Sequence, residues 1–172
     1  MLDNVVIQMD TREKAGKKGH ITSAFDAAGV RYIRSKMYVG DYTLLHDQSL
    51  CIDVKQGLQE VYSNLVQEHE RFRAECVRAR DAGIRLLILV EQPEIQTLED
   101  VHTWENPSIA AYNKKVLEGA ERPKRPPISS LRLQSMMLAM TALYDVEWRF
   151  CAPKDTGKVI INILTGGKGN EQ

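Results

Sequence analysis

Three short acidic motifs hold most of the chemistry available to this sequence. Asp10-Thr11-Arg12-Glu13, Gly40-Asp41-Tyr42 and Asp53-Val54-Lys55 each border an apolar run. Carboxylates at strand ends suit hard divalent cations, which take oxygen ligands; magnesium in particular keeps several waters. Lys55 lies two residues after Asp53, so both side chains project from one face of a strand. Hydrolysis of a phosphodiester needs this combination. The phosphate charge repels nucleophiles, and a divalent ion neutralises it, lowers the pKa of a bound water and stabilises the leaving oxygen. Asp41 and Asp53 form the natural metal pair, and the Val54 carbonyl can complete the set. The Lys55 ammonium can orient the attacking water and offset developing charge. Asp10, Arg12 and Glu13 border the same site from a neighbouring strand end. D-x-K alone arises often by chance, and its ordinary reading is an exposed hairpin with surface charges. The carboxylate 12 residues upstream, the D-x-R-E at a strand end and the G-D-Y together outweigh that reading.

These residues need elements to hold them. Val5–Met9 is a short apolar run, expected as a buried strand ending at Asp10. His20–Ala28 reads as a helix stopped by Gly29, and Val30–Met37 alternates apolar and basic residues as an edge strand does. Tyr42–Leu45 and Leu50–Val54 flank the polar turn His46–Ser49 as a β-hairpin, which sets Asp41 opposite Asp53. Leu58–Ala82 reads as one long helix closed by Gly83, and Ile84–Val90 as a central strand covered on both faces. Residues 91–128 change character, with five prolines from Pro93 to Pro127, and read as an excursion with a short helix near Ser108–Leu117. Ser129–Tyr144 is a second helix capped by Ser129 or Ser130, with Met136, Met137 and Met140 as core filler. Val146–Cys151 reads as a last strand. Asp155 and Thr156 are expected to cap a closing helix, Lys158–Leu164. Alternation of strands and helices places the chain in the α/β class around a mixed sheet, as a single domain over residues 1–172 with a flexible tail at 165–172.

At 172 residues the chain can bury a proper core. No run of about 18 apolar residues suggests a membrane span, and the N-terminus lacks the basic and apolar segments of a secretory signal. Three well-separated cysteines give neither a disulfide framework nor a zinc motif, so a reducing cytoplasm is expected. Formal net charge is zero. The distribution is uneven: Arg12, Lys14, Lys17, Lys18, Arg31, Arg34 and Lys36 crowd one zone, and Lys114, Lys115, Arg122, Lys124, Arg125 and Arg132 another. Such zones suit phosphate contacts, although on charge alone ordinary solvated faces are the stronger reading. Lys17, Lys18, Lys124 and Arg125 are the DNA-contact candidates; Arg122–Pro127 is either a backbone-tracking segment or a linker. The four histidines show no ligand spacing, and Trp104 reads as a loop anchor rather than a base-stacking ring.

In motif order the chain resembles the nuclease domain of the XPF family of structure-selective DNA endonucleases, within the PD-(D/E)xK superfamily. The matching pieces are Val6–Glu13, Val39-Gly40-Asp41-Tyr42, Asp53-Val54-Lys55, Glu70-Arg71-Phe72 and Leu86–Glu91, with Ser130–Leu164 behind them. The resemblance implies a restriction-endonuclease-like core and a Mg²⁺- or Mn²⁺-dependent endodeoxyribonuclease serving DNA repair or recombination. It makes Asp41, Asp53 and Lys55 catalytic and Asp10, Arg12 and Glu13 members of the active site. It also turns Arg71 and Glu75 toward the site from the helix, although at i,i+4 they are equally a surface pair. The family glutamate is Asp53 here, its central arginine is Val54, and the acid four residues past the lysine is Gln59, with Glu60 beside it. Residues 93–128 do not fit and look like an insertion. The family's tandem helix-hairpin-helix and helicase-like regions have no counterpart in this sequence. Small stand-alone versions of phages and bacteria are similar in size. The expected substrate is branched, flapped or junction DNA. Two rivals stand beside this reading: a non-catalytic DNA-binding pseudonuclease that scaffolds an active partner, and a homodimeric Holliday-junction resolvase.

Overall fold

A computed structural model describes residues 4–11, 19–121 and 126–167. Its described strands form one six-stranded sheet in the order β2-β1-β3-β4-β5-β6. The strands are β1 Val6–Met9, β2 Arg31–Arg34, β3 Tyr42–Leu44, β4 Asp47–Lys55, β5 Arg85–Glu91 and β6 Glu147–Cys151. β3 runs antiparallel to β1 and β4, and the remaining pairs are parallel. Among the described residues there are six α-helices: α1 Gly19–Ala27, α2 Leu58–Val66, α3 His69–Asp81, α4 Pro107–Leu117, which buries no residue, α5 Ser130–Tyr144 and α6 Thr156–Leu164. The expected α/β architecture with a mixed central sheet is present.

Strand alternation divides the core in two. Ile52 and Val54 on β4 and Leu87 and Leu89 on β5 face α1 and α6, with Ile21, Phe25, Ile160 and Leu164. Cys51 on β4 and Leu86, Ile88 and Val90 on β5 face the opposite layer of α2, α3 and α5. Asp53 and Lys55 share the parity of Cys51 and therefore lie on the α2/α3 side. The α1–α6 layer is close-packed at Gly157, where a Cβ would meet Ala24 Cβ at 2.5 Å and the Ile21 carbonyl oxygen at 2.9 Å. Neither neighbour is a flexible side-chain end. Gly157→Ala should therefore cost about 1–3 kcal/mol, measured as a lower urea midpoint with an unchanged slope.

Several boundaries differ from expectation. The span 58–82 is two helices, because the backbone N–H groups of Gln67 and Glu68 both donate to the Ser63 carbonyl at 2.9 Å and end the first helix. The hairpin turn is Leu45-His46, since Asp47–Ser49 extend β4 as its exposed outer half. The register shifts between Thr43 and Leu44 to absorb the difference. The closing helix begins at Thr156 with no side-chain cap from Asp155, after a 3₁₀ turn at Pro153–Asp155. The excursion contains a 3₁₀ turn, Glu99–Thr103, as well as α4. Ser129 caps α5 by accepting from the Arg132 N–H at 3.2 Å. Met137 and Met140 are buried and Met136 packs against the core. Trp104 also packs there, and its carbonyl accepts from the Ser130 hydroxyl. No helix among the described residues is long and apolar enough to cross a membrane.

Candidate active site

The site forms where β1, β3 and β4 end together. Tyr42 pairs with Ile52, so the antiparallel ladder carries Asp41 next to Asp53. Main-chain bonds lock this arrangement: the Asp10 N–H donates to the Asp41 carbonyl at 2.9 Å, and the Asp41 N–H to the Ile52 carbonyl at 2.8 Å. The Val54 N–H donates to Asp41 Oδ2 at 2.9 Å. One residue earlier, Gly40 adopts φ 69°, and a Cβ there would sit 3.1 Å from both Cys51 Cβ and the Ile52 carbonyl oxygen. Only glycine fits this close crossing of two strands. Its N–H donates to Glu75 Oε1 of α3 at 3.0 Å, which fixes the loop to the helix layer.

Asp53 is buried, and its Oδ2 lies 2.8 Å from Lys55 Nζ. That contact is an ion pair poorly aligned as a hydrogen bond, and Oδ2 has no well-directed donor among the described residues. Burial and then the negative charge of Asp41 push the Asp53 carboxyl up to about 6, against the opposing pull of Lys55. Burial works against the Lys55 ammonium, but Asp53, Asp41 and Glu60 outweigh it and raise its pKa. Lys55 is therefore a cation at neutral pH. Its Nζ also lies 5.6 Å from the centre of the Phe72 ring, over its face. Behind this pair, burial and then Glu75 and Asp53 push the Cys76 thiol up to about 12, so it is inert as a nucleophile.

The structure thus brings together Asp10, Asp41, Asp53, Val54 and Lys55. Arg71 is not among them: its side chain is 84% exposed and pairs with Glu68 at 3.2 Å. It points away because Phe72 and Cys76 take the inward face of α3. Of the same helical step, Phe72 is the residue that touches the site. Arg12, Glu13, Lys17, Lys18, Lys124 and Arg125 lie outside the described residues. Glu75 and Glu60 enter as further carboxylates. Glu60 Oε2 accepts from the Gln56 N–H at 2.7 Å, and Gln59 turns instead to Ser108 Oγ at 3.0 Å. The sequence signal for Glu75 was its i,i+4 spacing from Arg71; that for Glu60 was its place beside the family's missing acid.

Asp41 and Asp53 offer hard oxygen donors held close together, with one cation against several carboxylates. Burial and then the Asp41 charge disfavour the Asp53 carboxylate, and a divalent ion would offset that penalty. Among the described residues no three His, Cys, Asp or Glu side chains converge as a ready-made cage. Two carboxylates completed by a main-chain carbonyl and waters is a set magnesium accepts.

The chain matches the family model of the ERCC4 domain over residues 9–163. Among solved structures it is similar to XPF from Aeropyrum pernix, with TM-score 0.62 and 19% identity over 94% of this chain and 66% of that one. It is also similar to XPF from Aeropyrum pernix in complex with DNA, with TM-score 0.61 and 20% identity over 94% of this chain and 64% of that one. The chain therefore spans slightly less than two thirds of either. No curated protein matches the sequence.

Proposed function

Since the chain belongs to the ERCC4 domain family, we propose that it is a metal-dependent DNA endonuclease hydrolysing phosphodiester bonds in branched, flapped or junction DNA. The observation that carries this reading is the Asp41–Asp53–Lys55 group, a half-buried and a buried carboxylate with a protonated lysine at converging strand ends. The Aeropyrum pernix protein of the same fold, known in complex with DNA, supports DNA as the partner.

Asp41, Asp53 and the Val54 carbonyl would hold Mg²⁺ or Mn²⁺. In an extended strand the N–H and C=O of one residue point to the same edge. The Val54 N–H reaches Asp41, so its carbonyl is directed past the end of β3 on that same side. A bound divalent ion supplies charge neutralisation at the phosphate and a more acidic water. Asp53 must be ionised to serve as a ligand, and Lys55 favours that form from 2.8 Å away. The Lys55 ammonium, held in place by Asp53 and the Phe72 ring, can donate to the attacking water or to a phosphoryl oxygen and offset charge as it grows. Asp10 braces Asp41 through the main chain, and Glu75 braces the Gly40 loop. Arg12 and Glu13 keep the active-site roles the family pattern gives them, and Lys17, Lys18, Lys124 and Arg125 those of phosphate contacts.

Titration with Mn²⁺, followed by calorimetry, separates an enzyme from a pseudonuclease. The wild-type protein should bind Mn²⁺, Asp41→Ala should weaken binding by at least about tenfold, and EDTA should abolish cleavage of a branched substrate. Cleavage that survives EDTA, or Mn²⁺ binding indifferent to Asp41→Ala, would refute the metal assignment.

A further inference from the structure

We infer that the segment from Arg34 to Tyr38 is a landing strip for an unpaired DNA strand, leading it to the Asp41–Asp53 carboxylates. This inference rests on the nuclease reading and adds the surface on which an unpaired arm of the DNA would lie. The segment follows edge strand β2 and continues along the end of β1, with the Ser35 N–H donating to the Met9 carbonyl at 2.9 Å. Every second side chain along it, Arg34, Lys36 and Tyr38, is exposed. Among the described residues neither cation has an ion-pair partner. No acid interrupts the sequence from Gly29 to Gly40, so this strip is uniformly positive in a chain whose net charge is zero.

Tyr38 is the unusual member. It is 63% exposed, while Met37 and Val39 on either side are 5% and 1% exposed. All Phe, Tyr and Trp residues of the chain are described, and Tyr38 is the only exposed one. Its ring has no ring partner, in contrast to Phe25, which packs against both Tyr32 and Tyr42. A ring left in water on a loop pinned by two buried neighbours, by Gly40 and by Glu75 is displayed rather than loose. It stands three residues before Asp41, so at most about 11 Å of chain separates the two.

Cations that track phosphates followed by an aromatic platform are the elements that bind single strands, because every base has a face to stack while its charges lie along the backbone. A paired duplex keeps its bases stacked on one another and offers Tyr38 only an end. The occupant is therefore an unpaired strand, such as the arm of a flap or fork.

Fluorescence anisotropy in EDTA, where no cleavage intervenes, reads binding of labelled oligothymidylate and of a blunt duplex of equal length. Tyr38→Ala should weaken oligothymidylate binding by about 5- to 150-fold, with little change for duplex, and Tyr38→Phe should restore it. Arg34→Ala with Lys36→Ala should flatten the salt dependence for the single strand by about 1.4 in log–log slope. All three positions are exposed, so unchanged thermal unfolding should accompany these losses. The inference is overturned if the wild-type protein does not bind oligothymidylate, if Tyr38→Ala leaves that binding unchanged, or if it weakens duplex equally. Asp41→Ala, tested for binding in this assay and separately for cleavage of a branched DNA with Mg²⁺, tells its failure apart from failure of the nuclease reading. That variant can remain inactive while the strip binds nothing, or the strip can bind normally while Asp41→Ala still cleaves.

Discussion

Asp53→Asn will make the metal-free protein more stable while removing its cleavage activity. The stability half follows from linkage. The native carboxyl sits near 6, against about 3.9 in an unfolded chain. Between those values the native state binds the extra proton, so stability falls as pH rises from 4 through 6 and stays low above 6. Two units correspond to a penalty on the order of 3 kcal/mol at neutral pH. Asparagine keeps the shape of the protonated side chain and carries no charge. The variant should gain about 1–3 kcal/mol at pH 7, because loss of the Lys55 partner offsets part of the relief, and almost nothing at pH 4. Urea unfolding at the two pH values checks this. The activity half follows from the same charge: asparagine cannot supply the anionic oxygen that would hold a divalent ion, and cleavage should drop by at least about a thousandfold. A residue whose removal stabilises the fold and destroys turnover is placed for chemistry.

Lys55→Met will have the second largest effect. Methionine preserves most of the side-chain stem and removes the ammonium, with its place over the Phe72 ring. Without the ammonium 2.8 Å from Asp53, the two carboxylates repel each other unopposed, and Asp53 takes up a proton at a higher pH. Cleavage should fall by about a hundred- to a thousandfold. The acid limb of the pH–rate profile should move upward, since the ionised form becomes harder to reach. Single-turnover rates across pH 5–9 measure both. The double variant with Asp53→Asn should be far less harmful than the product of the two single losses, because the residues act as a unit. A lysine that merely filled space would leave the limb where it is.

The sheet and the opposition of Asp41 to Asp53 were legible because both depend on local patterns. Apolar runs of strand length, a hairpin joining two of them, and the parity of Cys51, Asp53 and Lys55 fix which side chains share a face. What was illegible depends on tertiary choice. Nothing between Val66 and Phe72 marks a helix end, as no glycine or proline stands there; the break comes from two N–H groups converging on Ser63. Asp47–Ser49 are polar and look like turn residues, yet they pair in β4 with their side chains exposed. Arg71 and Glu75 share a helical face in projection. Only the docking of the Gly40 loop shows that Glu75 reaches inward while Arg71 turns to Glu68. The importance of Tyr38 is equally invisible in sequence, since its exposure beside two buried neighbours follows from how the loop seats on the sheet.

The central claim is that Asp41, Asp53 and Lys55 form a metal-dependent site cleaving structured DNA. The most direct measurement is a panel of end-labelled flap, fork, four-way junction and linear duplex DNAs incubated with Mg²⁺, wild type beside Asp53→Asn. The account predicts Mg²⁺-dependent cuts in at least one branched member, absent from the linear duplex and absent with the variant. Intact branched substrates throughout, or equal cutting by wild type and a folded Asp53→Asn, would contradict it.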